Sequence, residues 1–147
     1  MKRVFDDVAK FGWHVVAVLP GADGAPEYSF SVGFYETYKH AELVIFGLPM
    51  ESAHGIIGTC LERLEEGAFF EAGQVRSDIL KNHSIAVLPV HRTFYRDYLG
   101  TAIGFYDRLD FPALQLVWPD KSNHFPWEPA YDSSYAGLQV ILSTTAA

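Results

Sequence analysis

WHVVAVLPGADGAPEYSFSVGF, residues 13–34, decides the fold. Trp13–Leu19 is a β-branched run, and Pro20–Pro26 (PGADGAP) is turn chemistry throughout. Tyr28–Phe34 then alternates large and small side chains as a returning strand does. The stretch reads as a β-hairpin, which commits the chain to antiparallel pairing. Gly33 inside the return strand marks a bulge or a close approach of backbone.

Outward from the hairpin, helices and further strands follow. Val4, Phe5, Val8 and Phe11 recur at helical spacing before Gly12, giving a short amphipathic helix over residues 3–11. After the polar stretch Glu36–His40, Ala41–Leu48 (AELVIFGL) is a third strand. Pro49 fits the first turn of the helix that follows, over about residues 50–66. Its apolar stripe is Ala53, Ile56, Ile57, Cys60, Leu61 and Leu64, and Gly67 ends it. Phe69–Val75 reads as a short strand interrupted by Gly73, and Ile85–Val90 as a firmer one. Phe94, Tyr95, Tyr98, Leu99, Ala102, Ile103 and Tyr106 trace another amphipathic helix, weakened by Gly100 and Gly104. Ala113–Trp118 is an apolar strand, and Leu138–Leu142 reads as a last edge strand. The expected class is α+β: one domain over residues 1–147, with two to three amphipathic helices on a mainly antiparallel sheet, open or closed into a barrel.

Composition narrows the function. Apolar residues make up 49% of the chain and aromatics 15%, placing it among globular proteins that bury roughly two thirds of their unfolded surface. A net charge of −7 with scattered Lys and Arg argues against nucleic acid as a partner. The single cysteine, Cys60, rules out an internal disulfide and suits a reducing cytoplasm. Met1-Lys2-Arg3 leads into aspartates rather than an apolar run, and no apolar run approaches the roughly 20 residues of a membrane helix. The expectation is a soluble cytoplasmic protein with neither membrane nor nucleic-acid partner.

No phosphate loop, GxGxxG, GxSxG, HExxH or CxxC occurs, so no metal is assigned and no catalytic residue is named. Cys60 sits on a helical apolar stripe and reads as a buried structural thiol. Six positions are the ligand-binding candidates: Tyr28, His40, Glu42, Gln115, Asp120 and Trp127. His40 and Glu42, at strand spacing, would share one face, where they could share a proton or a cation; the alternative is a surface pair at a strand entrance. Gln115 is a polar group on a buried strand and needs hydrogen-bond partners there. Asp120, after Trp118-Pro119 at a strand end, reads either as a site residue at a loop mouth or as an Asx turn. Tyr28, Phe30, Phe34, Tyr35 and Tyr38, with Trp118, Phe125 and Trp127, read either as core or as the wall of a cleft for a planar ligand. Phe111–Pro129 (FPALQLVWPDKSNHFPWEP) gathers two of the three tryptophans and four of the eight prolines, with Pro126 bracing Trp127.

The motifs YSFSVGFYE (28–36), KHAELVIFGLP (39–49), YLGTAIGFY (98–106) and FPALQLVWPD with HFPWEP (111–129) resemble a bacterial family, the domain of unknown function 4262. The likeness runs in order over nearly the whole chain to the tail Leu138–Leu142. Its usual His-Pro-Glu-Leu is His40-Ala41-Glu42-Leu43 here, leaving the histidine and glutamate in place. Tyr28, Gly33, His40, Glu42, Gln115, Asp120 and Trp127 match the family pattern. The resemblance implies a small cytoplasmic bacterial protein and carries no established reaction, so no catalytic role transfers.

Three functions remain in order of weight. The first is a non-enzymatic binding or interaction module with a protein partner; so many aromatics in a small domain also suit a homodimer. The second is a small-molecule binder, by analogy to split-barrel proteins that hold a flavin at a dimer interface; no cofactor is named from the residues themselves. The third is a hydrolase or metal enzyme using His40, Glu42 and Asp120. Convergence of the candidates on one cavity would favour the second or third.

Overall fold

The computed structural model describes residues 1–143. Val4 and Val8, one helical turn apart, bury one side of α1 (Lys2–Phe11), and Gly12 ends it in the left-handed region, its amide donating to the Val8 carbonyl. The hairpin follows as β1 (His14–Val18) and β2 (Tyr28–Val32), paired antiparallel from His14↔Val32 to Val18↔Tyr28. The chain then forms α2 (Phe34–Tyr38), β3 (Glu42–Phe46), α3 (Met50–Glu65), β4 (Val75–Leu80) and β5 (His83–Pro89). A 3₁₀ turn (Arg92–Phe94) leads to α4 (Tyr95–Tyr98), α5 (Gly100–Tyr106) and β6 (Ala113–Val117), with a second 3₁₀ turn at Ser133–Tyr135.

The six strands make one open sheet in the order β1-β2-β3-β6-β5-β4. Every pair is antiparallel except the central one, β3 with β6. Those two strands are buried along their whole length, as a strand covered on both faces must be. On one face Phe30, Val32, Val44 and Phe46 pack under α1, α4 and α5. On the other, Leu43, Ile45, Leu114 and Leu116 pack under the α3 stripe Ala53, Ile57, Cys60 and Leu61. The α+β class holds, and the sheet does not close into a barrel: β1 and β4 are its edges.

Four segments depart from the sequence reading. Phe34–Tyr38 is helical rather than the end of a strand and a polar link, and Gly33 (φ 109°) is its N-cap, not a bulge. The close-approach reading of Gly33 is correct: a Cβ there would lie 2.9 Å from the Gly12 carbonyl oxygen. The strand placed at Phe69–Val75 lies instead at Val75–Leu80, because Ala72-Gly73 forms a turn whose amide bonds the Val87 carbonyl. The helix traced from Phe94 to Tyr106 breaks at Leu99, which leaves the helical region (φ −116°, ψ 32°). Leu138–Leu142 forms no strand: it is held beside β6 by side-chain amides and by one main-chain bond, from the His91 amide to the Leu142 carbonyl at 2.8 Å, rather than by a ladder. Gly47 (φ 83°) permits that placement, since a Cβ there would lie 2.3 Å from the Leu138 carbonyl oxygen.

Candidate functional site

Glu42 opens β3 beneath the first turn of α2 and is 1% exposed. Its Oε1 accepts from the Ser31 hydroxyl at 2.7 Å and the Phe34 amide at 3.2 Å. Its Oε2 accepts from the Gly33 and Tyr35 amides, each at 3.1 Å, and from the Tyr106 hydroxyl. Ser31 Oγ already accepts from the Leu43 amide, and the Tyr106 oxygen accepts from the Gly33 and Glu36 amides, so both hydroxyl hydrogens point to Glu42. Burial holds the Glu42 carboxyl above its usual range, and the Tyr106, Ser31, Tyr35 and Phe34 donors offset only part of that rise. Burial and the adjoining carboxylate raise the Tyr106 hydroxyl in turn. The Glu42 carboxyl group caps a helix too short to stand alone, both of its oxygens occupied by donors from the protein itself.

His40 does not join this group. It precedes β3 rather than lying in it, after Lys39 in the left-handed region (φ 57°). Its Nε2 accepts from the Phe70 amide at 2.8 Å, so the ring hydrogen sits on Nδ1 and donates to the Ala41 carbonyl at 2.8 Å. Burial lowers its pKa, which suits this neutral tautomer. The imidazole fixes Phe70 in the core under α3.

Gln115 is fully buried in β6. Its amide donates to the Val140 carbonyl at 2.6 Å and accepts from the Leu142 amide at 2.8 Å. Gln139 reciprocates on the backbone of Trp118, accepting from its amide at 3.1 Å and donating to its carbonyl at 2.9 Å. Two side-chain amides thus replace a strand ladder.

Asp120 is the Asx turn of the alternative reading. Its Oδ1 accepts from the Ser122 and His124 amides, each at 2.9 Å, and Oδ2 from the Asp132 amide at 2.8 Å. Burial opposes its ionisation, but the His124, Asp132 and Ser122 amides outweigh that and hold the carboxyl below its usual range. His124 Nδ1, buried and without a hydrogen-bond partner among the described residues, lies 3.8 Å from Asp120 Oδ1. Tyr28 donates to the Tyr98 carbonyl at 2.9 Å and stacks on Phe46. Trp127 is 51% exposed and stacks on Phe125, centroids 5.3 Å apart.

The candidates do not converge. Asp120 borders a cavity of about 300 Å³ between Trp118 and Ile56, and His40 borders another of about 340 Å³ beside Leu64. Tyr28, Glu42, Gln115 and Trp127 border neither. Among the described residues, no three His, Cys, Asp or Glu side chains gather as a metal site would require. The sequence reading missed Ser31 and Tyr106. The small residue in YSFSV facing a buried glutamate was a signal for Ser31; Tyr106, on a helical apolar stripe, carried none.

The family model for the domain of unknown function (DUF4262) matches residues 7–132. The chain belongs to this family. The DUF4262 match takes in all six strands, the Glu42 cluster and the Asp120 turn; the tail Leu138–Leu142, part of the sequence resemblance, lies beyond it. No curated protein and no solved structure matches the chain. No helix among the described residues is long and apolar enough to cross a membrane.

Proposed function

We propose that this chain is a non-enzymatic protein-binding module whose buried polar side chains hold the scaffold and whose function lies on its surface. One observation carries the reading: each polar candidate is engaged by the protein's own backbone. Glu42 receives its donors from the α2 turn and its neighbours, and Asp120 from its own loop. His40 and Gln115 have both polar atoms occupied, and the Tyr28 hydroxyl donates to a backbone carbonyl. A hydrolase site needs a base free to take a proton from substrate, and none of these groups offers one.

The surface that suits a protein partner is the margin along β1. Phe11 is 59% exposed, Leu19 74% and Met50 52%. Singly such residues are ordinary; grouped along one sheet edge they point to an interface. A photo-crosslinking amino acid placed at Leu19 or Met50 in cells should give protein adducts, and one at Lys81 should not. No adduct at either apolar position would remove the reading.

A small-molecule reading keeps one observation, the cavity lined by Leu48, Ile56, Leu80, Trp118 and Tyr135. It loses the split-barrel analogy, because the sheet is open. A melting point unmoved by millimolar flavin mononucleotide would dispose of the flavin form of it.

A further inference from the structure

The two sheet edges are treated differently by the sequence. The β4 edge carries Arg76 and Asp78, paired at 2.7 Å, and its ladder to β5 shifts register between Arg76 and Leu80. Arg63 Nε also donates to the Asp78 carbonyl at 3.0 Å. Charge and irregularity of this kind keep other strands away. β1 has neither. His14-Val15-Val16-Ala17-Val18 pairs in unbroken register with β2 on one side and with no strand on the other among the described residues. Beside it runs a cleft of about 430 Å³ walled by Phe11, Trp13, Val15, Ala17, Met50 and His54. Leu19, the most exposed of the large apolar side chains, follows the strand and does not line that cleft.

Resting on the binding-module reading, we propose that the partner at this margin is a second copy of the chain, paired β1 to β1 antiparallel about a two-fold axis at Val16. Symmetry and the pleat give the register. A two-fold perpendicular to the sheet keeps each helical layer on its own face, and the pleat then allows only residues of the same face to meet. Centred on β1, the pairs are Val16 with Val16, Val15 with Ala17 and His14 with Val18. Extended one residue each way, Leu19 of either copy stands opposite Trp13 of the other, at the cleft walled by Phe11 and Met50. Each copy thus offers both the uncovered leucine and the cleft that lacks one. The charge permits it: although the chain carries −7, residues 11–22 contain no Asp, Glu, Lys or Arg. Asp7 and Arg3, which flank the seam, are opposite in sign, and Asp7 is bonded to His14 at 2.7 Å. An unrelated extended peptide would satisfy the strand edge without bringing a second Leu19 to the cleft of this chain.

Disulfide trapping tests this pairing. In Val16→Cys the two thiols face each other across the axis, within reach of a bridge. The native thiol does not interfere, since Cys60 is buried and pushed up to about 12. Mild oxidation should convert Val16→Cys to a covalent dimer and leave Ser77→Cys, on the β4 edge, monomeric. Val15→Cys mixed with Ala17→Cys should cross-link as a heterodimer. As a variant that leaves the monomer's packing alone, Leu19→Arg should weaken the sedimentation dimer about tenfold or more with an unchanged circular dichroism spectrum. A wild-type chain monomeric at about 100 µM, or Val16→Cys that cross-links no faster than Ser77→Cys, would overturn the pairing. Adducts from Leu19 to a different protein would overturn it while sustaining the binding-module reading; no adduct at any apolar position overturns both.

Discussion

The Tyr106 hydroxyl, at the end of α5, donates to the Glu42 carboxylate at the start of β3. This contact ties the helical layer on one face to the central strand and, through Glu42, to the amides that open α2. Tyr106→Phe removes one donor to Glu42 and leaves the Glu36 amide short of an acceptor, while the Gly33 amide keeps Glu42 Oε2, at a cost of about 1–3 kcal/mol. Glu42→Gln should cost more, because an amide N–H2 group would face backbone donors. Urea unfolding measures both; a variant as stable as wild type would show that the cluster does not hold the fold.

His40 sets a pH dependence. Its folded pKa is lowered from an ordinary 6.5, so the unfolded chain takes up the proton first. Stability from this group is therefore complete above about 6.5 and is lost as pH falls below it toward the folded value. The melting temperature should drop between about pH 7 and pH 5, and His40→Gln should flatten that slope. Equal slopes for the two proteins would count against the Phe70 amide as the partner that keeps the ring neutral.

The placement of the tail rests on Gln115 and Gln139, on the His91 amide that donates to the Leu142 carbonyl, and on the missing side chain of Gly47. Gln115→Leu strands the Val140 carbonyl and the Leu142 amide in the interior, at about 2 kcal/mol or more. Gly47→Ala drives a methyl group into the Leu138 carbonyl and also strains a positive φ. Each variant should speed hydrogen exchange in residues 138–142 well before it affects β3. Protection unchanged in that segment would contradict the placement.

Asp120→Asn leaves one oxygen to serve three amides, and the side-chain N–H2 group cannot accept. Exchange should quicken at Ser122, His124 and Asp132 together, because one carboxylate accepts from all three amides. In the wild-type protein the same amides should loosen only under acid, since the carboxyl is held below its usual range and its contribution is lost as pH falls through that lowered value. Loosening already at neutral pH would mean the carboxylate is not their anchor.

The hairpin and α3 were legible because their periods, two and about three and a half, extend over enough residues to be unambiguous. β4 was not: VRSDIL has no apolar alternation, since an edge strand keeps its charges outward. Nor was α2, whose five residues form a helix only because a glutamate from another strand caps them. Local pattern is silent about partners 11 and 64 residues away, which is where Ser31 and Tyr106 lie from Glu42. The candidates were found as polar residues in apolar surroundings. Whether such a group faces a ligand or the backbone is decided by tertiary geometry.

Hydrogen exchange of the purified chain at concentrations from about 1 to 100 µM bears most directly on a rigid polar interior with a binding margin at β1. Amides of β1 (His14–Val18) should slow as concentration rises, beside Gly33, Phe34 and Tyr35 amides that stay protected at every concentration. Fast exchange at Gly33–Tyr35, or β1 amides indifferent to concentration, would contradict it.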